Sequence, residues 1–267
     1  MDLHIRDSNF FSEKYPERPN PYINWIWDRV LQHNDITVFS DCHLREALYN
    51  SSTVKIAYLI EPPVINMDAY EFVKKNIGIF KYVFTFVEDM RNFSDNIVVF
   101  PHGTSWVSEG DRKVYFKTKM TSIIASGKNW TEGHKLRHAA ISAHRDRMDV
   151  MGNGYREIPS KLEGLIPYRY QVVIENSKLD LYFTEKFMDC IFTGVVPIYW
   201  GCPGVINLFD PNGIITFDKV EHLDDIFRGI SEEDYNSRLP AIEFNLKKAE
   251  EYHHMEKHLY AFLRDKI

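Results

Sequence analysis

Cysteine is scarce in this sequence, and long apolar runs are missing. Three cysteines occur among 267 residues, and the spacing of Cys42, Cys190 and Cys202 fits neither a zinc site nor a disulfide framework. No apolar run reaches the roughly 18 residues of a transmembrane helix, and the first residues lack the basic and apolar regions of a signal peptide. We therefore expect neither a disulfide-stabilised scaffold nor a membrane-spanning protein.

An excess of positive charge is also missing. The formal net charge is −6 and the isoelectric point is near 6.0, so we expect no nucleic acid and no anionic membrane as the main partner. A local basic cluster at residues 134–147 is the exception. The hydrophobic fraction of 44% is enough for one large core or two smaller ones.

The common nucleotide-binding loops are absent from the sequence as well. No G-x-G-x-x-G follows a predicted strand, and no G-x-x-x-x-G-K-S/T occurs. These absences argue against a dehydrogenase or an epimerase of the dinucleotide-binding kind.

Short apolar segments alternate with helical patterns, which indicates an α/β protein with parallel sheets. The predicted strands are 35–39, 55–60, 82–86, 97–100, 121–126, a short one near 150, 171–174, 196–199 and 214–217. The predicted helices include 70–76, 132–143 and one that begins near Thr184. We interpret the polar stretch 107–119 as a linker between two halves.

The segment 241–263 predicts one long amphipathic helix. Three histidines occur within it, His253, His254 and His258, and two of them have the i, i+4 spacing of a helical metal site. A solvated helix face is the more common reason for such histidines.

Residues 170–201 carry the strongest functional signal. The apolar run that ends at Ile174 predicts a buried parallel strand, and α/β sheets place their ligands at the C-terminal ends of such strands. A polar stretch at 175–178 follows, and then a helix that Gly194 is suited to end.

Lys186 is unusual in the first turn of this helix. A cation there opposes the helix dipole by about 0.3–1 kcal/mol, unless an anion binds beside it. Free N–H groups at a helix N-terminus bind phosphate, and a lysine adds a point charge. We therefore interpret Lys186 as a phosphate ligand and Glu185 as a carboxylate that binds hydroxyl groups. A solvated Glu-Lys pair on a surface helix is the alternative.

The same region carries a family resemblance in three blocks, which are Glu175-Asn176-Ser177, Tyr182-Phe183-Thr184-Glu185-Lys186 and Gly194-Val195-Val196-Pro197-Ile198-Tyr199-Trp200-Gly201. This pattern resembles the donor-binding signature of the family-10 glycosyltransferases, the α-1,3/α-1,4-fucosyltransferases. Leu181 departs from the pattern, since the family often has an acid before the tyrosine.

The resemblance implies a GT-B-like α/β fold, in which two Rossmann-like domains face a cleft and a C-terminal helix crosses back. On this basis we expect an acceptor-side domain at 1–112 and a donor-binding domain at 113–240. The segment 241–267 is then expected to be a helix that packs back toward the N-terminal domain.

The resemblance also implies an inverting transfer of fucose from GDP-fucose to a hydroxyl group of a glycan acceptor, with α-1,3 linkage. The chain has no D-x-D motif. We therefore expect no metal and no cofactor, with lysine and arginine supplying the positive charge that the diphosphate needs. The alternatives are a transferase that uses another GDP-sugar such as GDP-mannose, and a non-catalytic relative that binds sugar nucleotides.

Matching the family residue by residue implies the donor site. Arg137 is expected to reach the donor phosphates, with Arg145 and Arg147 as rivals. Glu185 is expected to bind the ribose hydroxyls, and Lys186 the phosphates. Asn176 is expected on the diphosphate side, and Tyr182 near the nucleoside or the sugar, with a plain core role as its alternative.

The general base is expected at Glu61, because the family has a glutamate at the end of an early strand. Asp41, Glu88 and His102 lie near other predicted strand ends and are rivals, and Glu61 capping its own turn is the structural alternative. His102 is a further candidate for contact with the acceptor or the sugar.

Animal and plant members of this family are Golgi membrane proteins with a signal anchor. Because this sequence shows no such anchor, we expect a cytoplasmic enzyme of bacterial or viral type, or else a trimmed lumenal domain of a Golgi enzyme.

Overall fold

The computed structural model describes residues 1–8, 21–27, 35–101 and 103–267. The chain divides into two compact units, of which the first comprises Met1–His102 and His254–Ile267 and the second comprises Gly103–His253. These divisions differ from the boundaries expected after residues 112 and 240.

The first unit contains a six-stranded parallel sheet in the order β2-β1-β3-β4-β5-β6. Its strands are β1 (Asp2–Arg6), β2 (Asn24–Trp27), β3 (Ile36–Ser40), β4 (Val54–Tyr58), β5 (Tyr82–Thr85) and β6 (Ile97–Val99). Ser40 at the end of β3 pairs with Tyr58 at the end of β4, so the two strands end side by side.

The second unit contains a five-stranded parallel sheet in the order β11-β10-β9-β7-β8. Its strands are β7 (Lys119–Ile124), β8 (Asp149–Met151), β9 (Tyr168–Ile174), β10 (Val196–Trp200) and β11 (Ile215–Thr216). Every residue of the central strand β9 is buried, as expected for a parallel strand with both faces covered.

The α-helices of the described chain are α1 (Pro63–Lys75), α2 (Glu132–His144), α3 (Glu185–Phe192), α4 (Val205–Leu208), α5 (His222–Gly229), α6 (Glu232–Ser237), α7 (Leu239–Ala249) and α8 (Met255–Leu263). Gly194 follows α3 with a φ of 68°, a left-handed conformation that favours glycine, and so the predicted end of this helix is confirmed.

The C-terminal segment forms two helices, and the prediction of one long helix is wrong. Tyr252, after α7, packs its ring on Phe183 and Phe209 in the second unit. By contrast, Met255 and Leu259 of α8 belong to the core of the first unit. The apolar residues of the segment therefore serve two cores, and the helix is interrupted between them.

The interpretation of 107–119 as a linker is also wrong. Val107 is only 5% exposed and belongs to the core of the second unit. Lys117 is buried, and its ammonium group donates to the carbonyl oxygens of Leu165, Ile166 and Thr193 at 3.3, 3.1 and 2.8 Å. Buried residues at both ends of this stretch therefore tie it to the second unit, although most of the polar residues between them are exposed or half-buried.

Each sheet has a topological switch point, where the strands that follow in the chain are added on opposite sides of a pair of neighbouring strands. The switch point lies between β1 and β3 in the first sheet and between β7 and β9 in the second. Ligands of open α/β sheets bind beyond the carboxyl ends of the strands at such a point. The topology therefore indicates where a site belongs in each unit.

Candidate functional site

A cavity of about 240 Å³ lies at the switch point of the second sheet. Its lining residues come from the ends of β7, β8 and β9, from α2 and α3, and from the segment before β9; they are Ile124, Ala125, Ser126, Arg137, Gly152, Asn153, Lys161, Leu165, Gln171, Val172, Val173, Ile174, Glu185, Lys186 and Asp189. Both predicted cations and the predicted hydroxyl-binding carboxylate are among them.

Glu175 ties the end of β9 to the start of α3. Its side chain is completely buried, and its two carboxylate oxygens accept the main-chain N–H and the hydroxyl of Thr184 at 2.8 and 2.7 Å. Thr184 is the N-cap of α3, and its hydroxyl oxygen accepts the N–H of Lys186 at 3.3 Å. This chain of bonds fixes the helix N-terminus beside the strand end.

Lys186 lies within a compact group of polar atoms. Its Nζ is 3.2 Å from Glu185 Oε1, 3.6 Å from Glu175 Oε2 and 3.1 Å from the Thr184 hydroxyl. The side chains of Lys186 and Glu185 are 29% and 19% exposed. A solvated Glu-Lys pair on a helix surface does not describe this arrangement.

The electrostatics keep this pair ionised. Burial acts to raise the pKa of Glu185, but the ammonium groups of Lys186 and Lys161 outweigh it and hold that pKa below its ordinary value. Burial acts to lower the pKa of Lys186, but Glu185 and Glu175 outweigh it and raise that pKa. Lys186 therefore carries a positive charge inside the cavity.

Arg137 is held rigidly from α2. It is 6% exposed, and its Nε and Nη2 donate to the Ile174 carbonyl and to Asn176 Oδ1, each at 2.8 Å. Nη1 has no hydrogen-bond partner among the described residues. The rivals Arg145 and Arg147 line a separate depression.

Gly133 allows α2 to approach the end of β9. A Cβ atom at this position would lie 1.7 Å from the carbonyl oxygen of Glu175 and 3.0 Å from the Cα of Asn176. The helix begins here with a capping box between Thr131 and His134. The absence of a side chain at Gly133 thus sets the position of Arg137 one turn later.

Asn176 and Tyr182 lie near the cavity residues in the chain but do not line the cavity. Asn176 is half-buried and accepts from Arg137, so it orients that guanidinium group. Tyr182 is 2% exposed, and its contact with the nucleoside or the sugar stays a prediction beside the alternative of a core role.

The sequence reasoning missed Lys161 and Asp189. Lys161 Nζ lies 3.6 Å from both Glu185 Oε1 and Asp189 Oδ2. Asp189 is buried, and its Oδ1 accepts the Ser105 hydroxyl and the Trp106 N–H at 2.8 Å each. Glu185 and Asp189 have i, i+4 spacing on α3, which predicts that both lie on the same face of the helix. Lys161 lies in a segment without helix or strand periodicity, so no sequence pattern indicated its role.

Glu61 lies just beyond β4 in the first unit and is half-buried. Its N–H is 3.4 and 3.3 Å from the two carboxylate oxygens of Asp41, and its carbonyl oxygen accepts the Tyr70 hydroxyl at 2.8 Å. Among its rivals, Glu88 is exposed and pairs with Arg91 at 2.6 Å. His102 lies outside the described residues.

The three C-terminal histidines contact aromatic rings. His258 stacks on Phe100 with ring centroids 5.1 Å apart, and His253 packs edge-on against Phe192 at 5.7 Å. His254 packs edge-on against Tyr22 at 5.8 Å. Over residues 1–8, 21–27, 35–101 and 103–267, no three His, Cys, Asp or Glu side chains are grouped to hold a metal ion. In the same ranges, every helix is too short or too polar to cross a membrane.

Two curated relatives match parts of the chain, whereas no protein-family model matches it. Alpha-(1,3)-fucosyltransferase FucT of Helicobacter pylori is 29% identical over 115 residues, which is 41% of this chain and 23% of the relative. Alpha-(1,3)-fucosyltransferase B of Drosophila melanogaster is 39% identical over 64 residues, 24% of this chain and 14% of the relative. The matches thus span less than a quarter of either relative.

Solved structures match far more of the chain. An α1,3-fucosyltransferase structure aligns over 99% of this chain and 88% of its own, with a TM-score of 0.60 and 16% identity. An α1,3-fucosyltransferase with GDP-fucose aligns over 89% and 80%, with a TM-score of 0.56 and 18% identity. TarM aligns over 86% and 54%, with a TM-score of 0.55 and 12% identity. These findings confirm the expected GT-B-like fold and the resemblance to α1,3-fucosyltransferases.

Proposed function

We propose that this chain transfers fucose from GDP-fucose to a hydroxyl group of a glycan acceptor, with the donor bound in the cavity of the second unit. The observation that carries the proposal is the convergence of Arg137, Lys186 and Glu185 in one cavity at the switch point of the sheet. The relatives named α-(1,3)-fucosyltransferases support fucose as the transferred sugar. The solved α1,3-fucosyltransferase of similar fold that holds GDP-fucose supports the choice of donor.

The charge balance of the cavity suits a diphosphate. Its cations are Arg137, Lys186 and Lys161. Each of the two lysines lies beside an acid, whereas Arg137 donates its hydrogen bonds to uncharged oxygen atoms. Burial opposes the ionisation of Glu175 and Asp189 and raises the pKa of both, so these two acids carry their charge at a cost in free energy. An entering diphosphate would give the Arg137 guanidinium group an anionic partner, in addition to the carbonyl and amide oxygens that it already binds.

Lys186 and Arg137 are assigned to the diphosphate, and Glu185 to the ribose hydroxyls. Negative charge grows on the diphosphate as its bond to the sugar breaks, so cations already fixed in place lower the barrier. Arg137 meets this condition, because the Ile174 carbonyl and Asn176 hold its guanidinium group before any ligand arrives. With these cations in place, we propose that transfer needs no metal ion.

We assign the general base to Glu61. In a single displacement, the acceptor oxygen forms a bond to the anomeric carbon while the bond from that carbon to the diphosphate oxygen breaks. The acceptor proton moves to the Glu61 carboxylate, and GDP leaves with the bonding electrons. This step inverts the configuration at the anomeric carbon. Glu61→Gln is expected to keep donor binding and lose transfer, and retained transfer would move the base elsewhere.

A thermal-shift series tests the donor site. The nucleotides are GDP, UDP, CDP and ADP, each with and without Mg²⁺, followed by GDP-fucose and GDP-mannose. A ligand at 100 times its dissociation constant stabilises by about 2.7 kcal/mol, which raises the midpoint by roughly 5 °C in a chain of this size. We expect a shift with GDP that does not depend on Mg²⁺ and a further preference for GDP-fucose.

The other outcomes separate the alternatives. A preference for GDP-mannose favours a transferase of another GDP-sugar. A shift with GDP-fucose and no release of GDP with any glycan favours a non-catalytic relative. No shift with any nucleotide, or a shift with UDP alone, contradicts the proposed donor.

Lys186→Met tests the phosphate contact directly. A hydrogen bond to a charged group contributes about 1.5–3 kcal/mol, so GDP affinity should fall roughly 10- to 100-fold. Lys178→Met is the matched control, because Lys178 pairs with Asp218 and does not line the cavity. Equal GDP affinities in the two variants would contradict the assignment of Lys186.

A further inference from the structure

Asp41 has an unusual backbone at the carboxyl end of β3. Its φ is 34°, in the left-handed region that residues other than glycine rarely adopt, and its side chain is 7% exposed. Aspartate tolerates this region better than most residues. Such a conformation persists only where the surroundings enforce it, and it occurs preferentially at functional sites.

The Asp41 carboxylate binds the main chain of the turn that carries Glu61. Its Oδ1 accepts the N–H of Ile60 at 3.1 Å, and both of its oxygens accept the N–H of Glu61. On the other side of the same turn, the Tyr70 hydroxyl donates to the carbonyl of Glu61. Pro62 follows with its φ fixed. The turn is thus held from both sides.

Within the described ranges, the groups that interact electrostatically with Asp41 come from several elements around it. They are Asp7 after β1, Glu61 after β4, the neighbouring Cys42, Tyr58 on β4 and Tyr70 on α1. Burial, with the charges of Glu61 and Asp7, raises the pKa of Asp41 to about 7, against the effect of the two N–H groups. Asp41 therefore changes charge close to neutral pH.

We propose that Asp41 is a positioning residue for Glu61, whose carboxylate holds the turn in place and whose ionised form makes Glu61 a stronger base. The inference rests on the proposed function with Glu61 as the general base. The two effects separate experimentally, since asparagine keeps an acceptor oxygen for the N–H groups but carries no charge, and alanine keeps neither.

The experiment compares kcat for GDP-fucose between about pH 5.5 and 9 in the wild type, Asp41→Asn, Asp41→Ala and the exposed control Asp68→Asn. We expect kcat of the wild type and of the control to rise about three- to tenfold as pH passes through about 7, since a more basic Glu61 is a better proton acceptor. Asp41→Asn should lack that rise and keep the lower plateau.

Asp41→Ala should lower kcat by roughly 10- to 100-fold at every pH, because a base displaced by about 1 Å loses that much. The KM for GDP-fucose and the affinity for GDP should stay unchanged in all variants, since the cavity residues belong to the other unit. A kcat of Asp41→Ala within a factor of about two of the wild type overturns the positioning role. A rise near pH 7 that persists in Asp41→Asn overturns the role of the charge.

Tyr70→Phe tests the same turn from its other side and replaces Asp41→Ala if that variant does not fold. It should lower kcat and retain the rise near pH 7, and an unchanged kcat overturns the inference. Failure of the proposed function looks different, because the wild type itself would then release no GDP from GDP-fucose at any pH. Transfer by Glu61→Gln would overturn the base and this inference together while leaving GDP binding intact.

Discussion

Gly133→Ala places one methyl group where α2 meets the end of β9. The added Cβ would lie 1.7 Å from the carbonyl oxygen of Glu175, and the three nearest atoms are all main-chain atoms of Glu175 and Asn176. To reach 3.0 Å, still a very short contact, the helix must retreat by 3.0 − 1.7 = 1.3 Å. Arg137 lies one turn along α2, so its 2.8 Å bonds to Ile174 and Asn176 stretch by a similar amount.

The cost has two parts. Overpacking destabilises by about 1–3 kcal/mol, and weakening the bonds of a buried guanidinium adds about 1.5–3 kcal/mol. We therefore expect the free energy of unfolding to fall by about 3–5 kcal/mol. Donor affinity should fall by roughly 10- to 100-fold, because a misplaced Arg137 loses its contact with the phosphates.

Urea unfolding and calorimetric titration with GDP measure the two effects. Gly229→Ala is the matched control, because a Cβ at Gly229 meets no atom within 4 Å. It should leave GDP affinity unchanged and stability equal or slightly higher. Wild-type stability and GDP affinity in Gly133→Ala would refute the reasoning, since α2 could then move without displacing Arg137.

Three further predictions concern stability and the donor. Lys117→Met should lower the free energy of unfolding by about 2–4 kcal/mol in urea, because three carbonyl oxygens lose the ammonium group as a donor. Glu185→Gln should weaken GDP binding about tenfold in calorimetry but leave pyrophosphate binding unchanged, if Glu185 contacts the ribose. The raised pKa of Asp41 means that the folded state keeps a proton that the unfolded state releases between about pH 4 and 7, so this group's contribution to stability falls as pH rises through that window. Asp41→Asn should therefore gain stability over the wild type by about 2–4 kcal/mol at pH 8 and by little at pH 4, and equal pH dependence in urea would contradict this.

The strands that were predicted correctly have a strong local signal. The segments 55–60, 82–86 and 196–199 are apolar runs flanked by turns, and each contains most of an observed strand. The first two strands were missed, because they are short and combine few apolar residues with polar ones. β2, Asn24–Trp27, is stabilised at the edge of its sheet by pairing with β1, which no local pattern reveals.

The candidate site was predictable only where its residues lie close together in the chain. Glu185 and Lys186 follow one another at a helix start, and the dipole argument is local. The role of Glu175 depends on its bond to Thr184, nine residues further along the chain. The role of Lys161 depends on the packing against α3 of a segment whose sequence shows neither helix nor strand periodicity. The closeness of Gly133 to Glu175 is a property of two elements that are distant in sequence.

Both units place a buried carboxylate directly after a parallel strand and use it to bind main-chain N–H groups of a later segment. Asp41 follows β3 and accepts from Ile60 and Glu61, whereas Glu175 follows β9 and accepts from Thr184. Burial raises the pKa of both acids. An ionised carboxylate at either position therefore lowers the free energy of unfolding more than an amide of the same shape would. Each one fixes a segment that carries a residue proposed for transfer, Glu61 in the first unit and Lys186 in the second. Since each buried acid lowers stability relative to an amide, stability does not explain its presence. We infer that each acid is present because it positions the segment whose N–H groups it binds.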